Sequence, residues 1–232
     1  MTPKFVYFDL DDTLLHHEKA EQAALHDVHK HFSIFNGIEP KQLVEIYHKI
    51  NGQQWLFYSE GKVTKDELQY NRFALTLKDL GLDSRSSEEI GNQYLDYYQQ
   101  HWQWVDGAER AFQRVRQKYD VGILTNGFAQ TQHKKFKQFD LYDQVQELVI
   151  SENVGVLKPQ PGIFDHATKL VGCEPDDIVY VGNSYNSDVI GGTNYGWKVA
   201  WFTNGDEPEP EQKQKAELVF SDFDALCEWL NV

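Results

Sequence analysis

Apolar residues along this chain follow two rhythms. Six short, nearly unbroken apolar runs stand out: Lys4–Leu10, Tyr119–Thr125, Gln146–Ser151, Asp177–Asn183, Lys198–Phe202 and Glu217–Phe220. Continuous runs of this kind suit strands covered on both faces. Between the later runs the spacing changes to the helical period, over Gly107–Lys118, Gln130–Phe139, Pro161–Val171 and Asn186–Tyr195. Gly172 and Gly196 stand where helix C-terminal caps belong. Strand alternating with helix predicts an α/β fold built on a Rossmann-like parallel sheet.

The segment from Glu18 to Trp104 breaks this alternation and carries no strand pattern. Leu43, Ile46, Tyr47 and Ile50 follow helical spacing, as do Phe73, Leu77 and Leu80. Pro40 suits a first helical turn, and Thr64–Glu67 (TKDE) and Ser86–Glu89 (SSEE) read as capping boxes. About four helices are expected here. The division that follows is an α/β core of residues 1–15 and 105–232, interrupted by a helical-bundle cap of residues 16–104. An insertion directly after the first strand is expected over its C-terminal end, where open α/β sheets bind ligands, and that predicts a lid.

Composition adds exclusions more than assignments. The 232 residues are 41% hydrophobic and 25% charged, enough for a substantial core. Acidic residues outnumber basic ones 36 to 22, a formal charge of −14. That field disfavours a nucleic-acid polymer as partner, and admits an anionic small molecule only beside a local cation. Cys173 and Cys227 cannot make a disulfide framework and are expected as reduced thiols. No apolar run approaches a membrane span, and the first strand starts without a signal segment; the expectation is a cytoplasmic protein. Asn204–Lys215, rich in proline and charge, reads as a solvated loop.

The chemistry begins at "VYFDLDDTLL", Val6–Leu15. Asp9 and Asp11 flank Leu10 where a buried strand ends, and residues two apart on a strand share a face. Two unit charges about 4 Å apart repel by roughly 4 kcal/mol at an effective dielectric of about 20. One acid must hold a proton, or a cation must sit between them; a nucleophile with a general acid, a magnesium site, or both would answer. Three more runs end strands in the same way. "ILTNG" brings Thr125 and Asn126, "GVLKPQPGIF" brings Lys158 before a proline, and "VYVGNSYNSDVIGG" brings Asn183, Ser184 and Asp188. All four are placed to converge on one rim of the sheet.

In this order the four runs resemble the four motifs of the haloacid dehalogenase superfamily. The position of the helical insert resembles the subclass with a helical cap between the first and second motifs. The resemblance implies a phosphomonoester hydrolase working through an aspartyl-phosphate. Asp9 would be the nucleophile, and Asp11 the acid that protonates the leaving oxygen and then helps activate water. Thr125 and the Asn126 amide would hold phosphoryl oxygens, with Lys158 offsetting charge. Asp9, the Asp11 carbonyl, Asn183 and Asp188 would hold Mg2+, a hard cation that takes oxygen ligands. Superfamily members that cleave carbon–halogen bonds do not use the second acid, so Asp11 favours phosphate esters. A proton on Asp11, Lys158 and Mg2+ are together expected to relieve the crowded carboxylates.

Two positions depart from the pattern. Asn183 stands where an acid is usual, which predicts weaker magnesium binding or a greater burden on Asp188. Asp12 stands where glycine is common and reads as a solvent-facing or helix-starting residue outside the chemistry. Glu60–Phe73, Leu124–Phe136, Ile150–Phe164 and Trp201–Gly205 further resemble pyrimidine 5′-nucleotidases of this subclass, which implies a nucleoside monophosphate substrate. His17, Asn51, Trp55 and Arg72 are the candidates for contacting it, against a core or surface role for each. A sugar-phosphate phosphatase or phosphomutase is the near alternative; a binding protein that keeps the fold without catalysis is the distant one. No G-x-x-x-x-G-K loop is present, so an NTP-binding P-loop is not supported.

Overall fold

The computed structural model describes residues 2–232. They form two compact units, one of the chain up to His16 together with Gln103–Val232, the other of His17–Trp102.

The larger unit is built on six parallel strands: β1 (Phe5–Phe8), β2 (Asp120–Thr125), β3 (Glu147–Ile150), β4 (Ile178–Gly182), β5 (Lys198–Phe202) and β6 (Leu218–Phe220). Their order is β3-β2-β1-β4-β5-β6. β1 therefore lies inside the sheet, with Phe8 paired to Ile123 on one side and Val181 on the other. Alternate residues of β1 feed two different cores. Val6 and Phe8 join Phe112, Ile123, Phe136 and Leu226 on one face, while Phe5 and Tyr7 join Leu124, Phe164, Tyr180 and Trp197 on the other. Each such side chain taken fully from water contributes about 1.5–3 kcal/mol. This is why the strands read as unbroken apolar runs: both faces are interior.

The smaller unit holds helices α1 (His17–His31), α2 (Pro40–Ser59), α3 (Lys65–Asp79) and α4 (Ser87–Gln100). A ring cluster of Tyr47, Phe73 and Tyr94, with centroids 4.9–5.4 Å apart, sits at its centre. The remaining helices belong to the larger unit: α5 (Ala108–Arg116), α6 (Ala129–Gln138), α7 (Ser151–Val154), α8 (Pro161–Val171), α9 (Gly191–Tyr195), α10 (Pro210–Lys213) and α11 (Phe223–Leu230). Among the described residues no helix is long and apolar enough to cross a membrane. Cys173 and Cys227 are both unbridged.

Four local expectations are revised. Thr64 and Glu67 make the reciprocal capping box, but Ser86 caps nothing with its side chain. Ser86 closes a preceding 3-10 turn with ψ near 6°, whereas a capping side chain needs extended backbone. Asp12 does not start a helix; it is half-buried at φ 58°, its amide donating to the Leu15 carbonyl at 2.7 Å. Aspartate is among the few residues that accept this left-handed conformation. The helix expected over Asn186–Tyr195 is a wide π turn, Tyr185–Ile190, leading into α9. The Ser184 carbonyl accepts from both Asp188 and Val189 amides, which widens that first turn. The solvated loop near the C-terminus contains the short α10.

Candidate active site

The ends of β1, β2 and β4, with the turn before α8, bring the chemistry-bearing residues together. Lys158 is the hub. Its ammonium donates to Asp9 Oδ1 at 2.7 Å and Asp188 Oδ1 at 2.8 Å, and lies 2.6 Å from the Tyr180 hydroxyl. All of these side chains are buried. Burial alone pulls the Lys158 ammonium toward losing its proton, but the charges of Asp188 and Asp9 outweigh it and raise its pKa above the ordinary lysine value. Asp9 is pushed up to about 7, first by burial, then by the neighbouring charge of Asp188, with Lys158 opposing. Tyr180 is held well above the usual phenol range by burial and the two carboxylates.

The loops are bolted together by side chain-to-backbone pairs. Asn126 Nδ2 donates to the Lys158 carbonyl at 2.9 Å, and the Lys158 amide returns a bond to Asn126 Oδ1 at 2.8 Å. Asn126 thus fixes where the lysine departs from its turn. Asp188 reaches back over the end of β4, where the Ser184 amide donates to its Oδ2 at 2.9 Å. A Cβ on Gly182 would lie 2.5 Å from that same oxygen, so this strand end requires glycine.

Asp11 keeps different company. Gln132 Nε2, from α6, donates to its Oδ2 at 2.7 Å and to Thr125 Oγ1 at 2.9 Å. The Lys135 ammonium, one turn on, pairs with Oδ1. Both Asp11 oxygens therefore have protein donors beside them. A second lysine thus balances Asp11, while burial pushes Asp9 toward its protonated form. The carboxylates tolerate one another because each has its own cation.

The oxygen donors at the end of β1 fit a hard cation. Thr13 Oγ1 lies 3.2 Å from Asp9 Oδ2 and 3.2 Å from Asn183 Oδ1. One hydroxyl proton serves only one of these two acceptors at a time, which leaves the other oxygen short of a positive partner. Asn183 is steadied by Trp201, whose indole N–H donates to its backbone carbonyl at 2.8 Å. Among the described residues no three His, Cys, Asp or Glu side chains form a metal cluster, in keeping with a donor set that mixes carboxylate, amide and carbonyl oxygens. Asp188 already has both oxygens engaged by Lys158 and the Ser184 amide, so it is tied to the lysine as firmly as to any cation.

The four candidates in the helical unit each have contacts within that unit's own packing. Asn51 is buried, donating to Glu21 Oε2 at 3.0 Å. Arg72 is buried with its guanidinium 5.3 Å from the Tyr94 ring centroid. Trp55 is half-buried and edge-on to Tyr58 at 5.8 Å. His17 Nδ1 lies 2.6 Å from the Tyr98 hydroxyl. Reading the sequence assigned no role to Thr13, Gln132, Lys135 or Tyr180. Tyr180 hides in an apolar strand. Gln132 and Lys135 carry a faint signal, because three residues apart they share a helix face with buried Phe136.

The model for haloacid dehalogenase-like hydrolases matches residues 3–196, most of the chain. The chain belongs to the haloacid dehalogenase-like hydrolases. Within this family it is 29% identical over 209 residues to the pyrimidine 5′-nucleotidase YjjG of Escherichia coli, covering 89% of each chain. It is 28% identical over 238 residues to the glyceraldehyde 3-phosphate phosphatase of Pyrococcus furiosus, covering 98% of this chain and 92% of that one. A crystal structure of the HAD-hydrolase YfnB of Bacillus subtilis, bound to magnesium, superposes with a TM-score of 0.86 at 25% identity over the whole of both chains. The parallel sheet flanked by helices is thus the family's fold.

Proposed function

We propose that this hydrolase is a Mg2+-dependent phosphomonoesterase that works through an aspartyl-phosphate and acts on pyrimidine nucleoside 5′-monophosphates. The separation of the two acids carries the reading: Asp9 is held by Lys158 and Thr13, whereas Asp11, two residues on, is held by Gln132 and Lys135. Two carboxylates with different partners suit two different tasks. Relatives named as a pyrimidine nucleotidase and as a phosphatase support it.

In this mechanism an oxygen of Asp9 attacks phosphorus and the ester oxygen departs with a proton from Asp11. Asp11 then takes a proton from the water that cleaves the acyl-phosphate, which releases phosphate and restores Asp9. Thr125 Oγ1 already accepts from Gln132 and from the Gly127 amide, at 2.9 and 3.3 Å, so its O–H proton remains for a phosphoryl oxygen. Lys158 keeps positive charge against the transferred group throughout. Asp9 Oδ2, Asn183 Oδ1 and the Asp11 carbonyl would hold Mg2+, with Asp188 beside them. Once bound, Mg2+ supplies the charge that lets a dianion approach these carboxylates.

A panel of phosphomonoesters assayed with and without Mg2+ tests the proposal. Turnover of dTMP and dUMP, lost on chelation, is the expected result. The phosphatase from Pyrococcus furiosus, similar over nearly the whole chain, favours sugar phosphates as the second reading. Turnover of sugar phosphates with none of dTMP or dUMP would replace the first reading by the second.

A further inference from the structure

We propose that Gln132 and Lys135 of α6 are the positioning residues for Asp11, fixing the acid–base carboxylate beside the phosphoryl-binding hydroxyl of Thr125. This rests on the phosphatase reading and adds to it two side chains that carry none of the superfamily's four motif positions.

Lys135 and Gln132 are each only 1% exposed. Taking an ammonium out of water is costly unless it is paired, so a lysine buried this deeply implies a definite partner. Among the described residues the buried lysines are two, Lys158 and Lys135, and each ends on one of the opening motif's acids. Gln132 joins both halves of the site through a single nitrogen, 2.7 Å from Asp11 Oδ2 and 2.9 Å from Thr125 Oγ1. The chain leaves room for that amide, since a Cβ on Gly127 would lie 1.8 Å from Gln132 Nε2. The Asp11 side chain nevertheless keeps 26% of its surface open, so it is held without being sealed.

Two donors on one carboxylate fix its rotamer, and the lysine also balances the charge that Asp11 adds next to Asp9. An acid–base group must reach the leaving oxygen within hydrogen-bond distance, and about 1 Å of misplacement costs on the order of 100-fold. Neither α6 side chain touches the substrate in this account; both act through Asp11.

The test compares two esters in the Mg2+-loaded enzyme. A nucleoside monophosphate has a poor leaving group and needs the proton from Asp11 to release it; 4-nitrophenyl phosphate has a good one and needs it little. The later attack of water is common to both, so the leaving step is read by itself in rapid-mixing single turnovers. Lys135→Met is expected to slow release of thymidine from dTMP about tenfold with KM changed less than about twofold, and release of 4-nitrophenolate less than about twofold. Lys135→Arg, which keeps the charge, is expected to recover most of the loss. In an Asp11→Asn background, Lys135→Met is expected to add nothing on 4-nitrophenyl phosphate. Equal losses on the two esters, or a loss that persists undiminished without Asp11, would overturn the proposal. Thermal melting establishes that each variant folds; if Lys135→Met does not, Gln132→Leu carries the same comparison with the lysine intact. A wild-type protein that turns over neither ester overturns the phosphatase reading itself, whereas normal wild-type turnover with ester-blind Lys135 variants overturns only this inference.

Discussion

The two units bury polar groups in opposite ways. In the α/β unit two buried lysines answer three acids directly, Lys158 with the buried Asp9 and Asp188, and Lys135 with the half-buried Asp11. In the helical unit the buried acid Glu21 meets Asn51 at 3.0 Å and a mostly exposed His48 at 3.1 Å. The buried Arg72 there lies over the Tyr94 ring, while its Nε and Asn51 Oδ1 have no hydrogen-bond partner. Replacing one member of a matched buried pair leaves an uncompensated charge, which is strongly destabilising, whereas a loosely answered polar group tolerates substitution. The α/β unit has fixed its chemistry, and the helical unit retains freedom to change.

That contrast is breakable. The largest effect is expected from Asp9→Asn, which removes the nucleophile and should lower kcat on any ester at least about 10⁴-fold in a steady-state assay. Lys158→Met comes next: an activity loss of the order of 10³-fold, together with about 3–5 kcal/mol of lost stability in urea titration, because Asp9 and Asp188 are then left facing each other. If Lys158→Met is as stable as the wild type, the pairing is not what holds the site.

Stability against pH sharpens the same point. The folded Asp9 carboxyl titrates at about 7, above the 3.8 of an ordinary aspartate. A raised value means the protonated form is favoured in the fold, so Asp9's contribution is full below about pH 4 and is lost as pH rises through about 7. Asp9→Asn has no such loss, and it strands no charge because Lys158 keeps its pairing with Asp188 at 2.8 Å. With chelator present it should melt higher than wild type at pH 8, by roughly 1–3 kcal/mol, and show little difference at pH 4. Adding Mg2+ should narrow the gap by favouring ionised Asp9. The smallest effect belongs to the helical unit, where Glu21→Gln should cost less than about 1 kcal/mol and leave turnover of 4-nitrophenyl phosphate within about twofold. A loss near that of Lys158→Met would erase the distinction between the units.

How much of this was legible depended on which interaction set each residue. The strands were legible because burial on both faces leaves a continuous apolar record, and β1 with its terminal acids followed from that. The polar residues of the helical unit gave little, since a buried Arg72 and a solvated one look alike in a sequence. Lys135 is the clearest case. Lys134, Lys135 and Lys137 stand close together in sequence, yet only the helix phase, set by Phe136 packing against the sheet, turns Lys135 inward. Asp12 was misread because a left-handed turn residue and a helix-starting aspartate share the same letter. The order of the strands depends on long-range pairing and leaves no local trace.

The clasp between Asn126 and Lys158 also governs how the protein ages. Asn126 precedes Gly127, the neighbour that most readily lets an asparagine cyclise through the following amide nitrogen and lose its ammonia. Here the side-chain amide is held at both ends by the Lys158 backbone, and the Gly127 amide is turned to Thr125 Oγ1. The attack geometry is denied for as long as the fold persists. Deamidation should therefore accumulate in the unfolded chain and spare the folded enzyme, so that the shelf life of the catalytic loop is set by how often the protein opens.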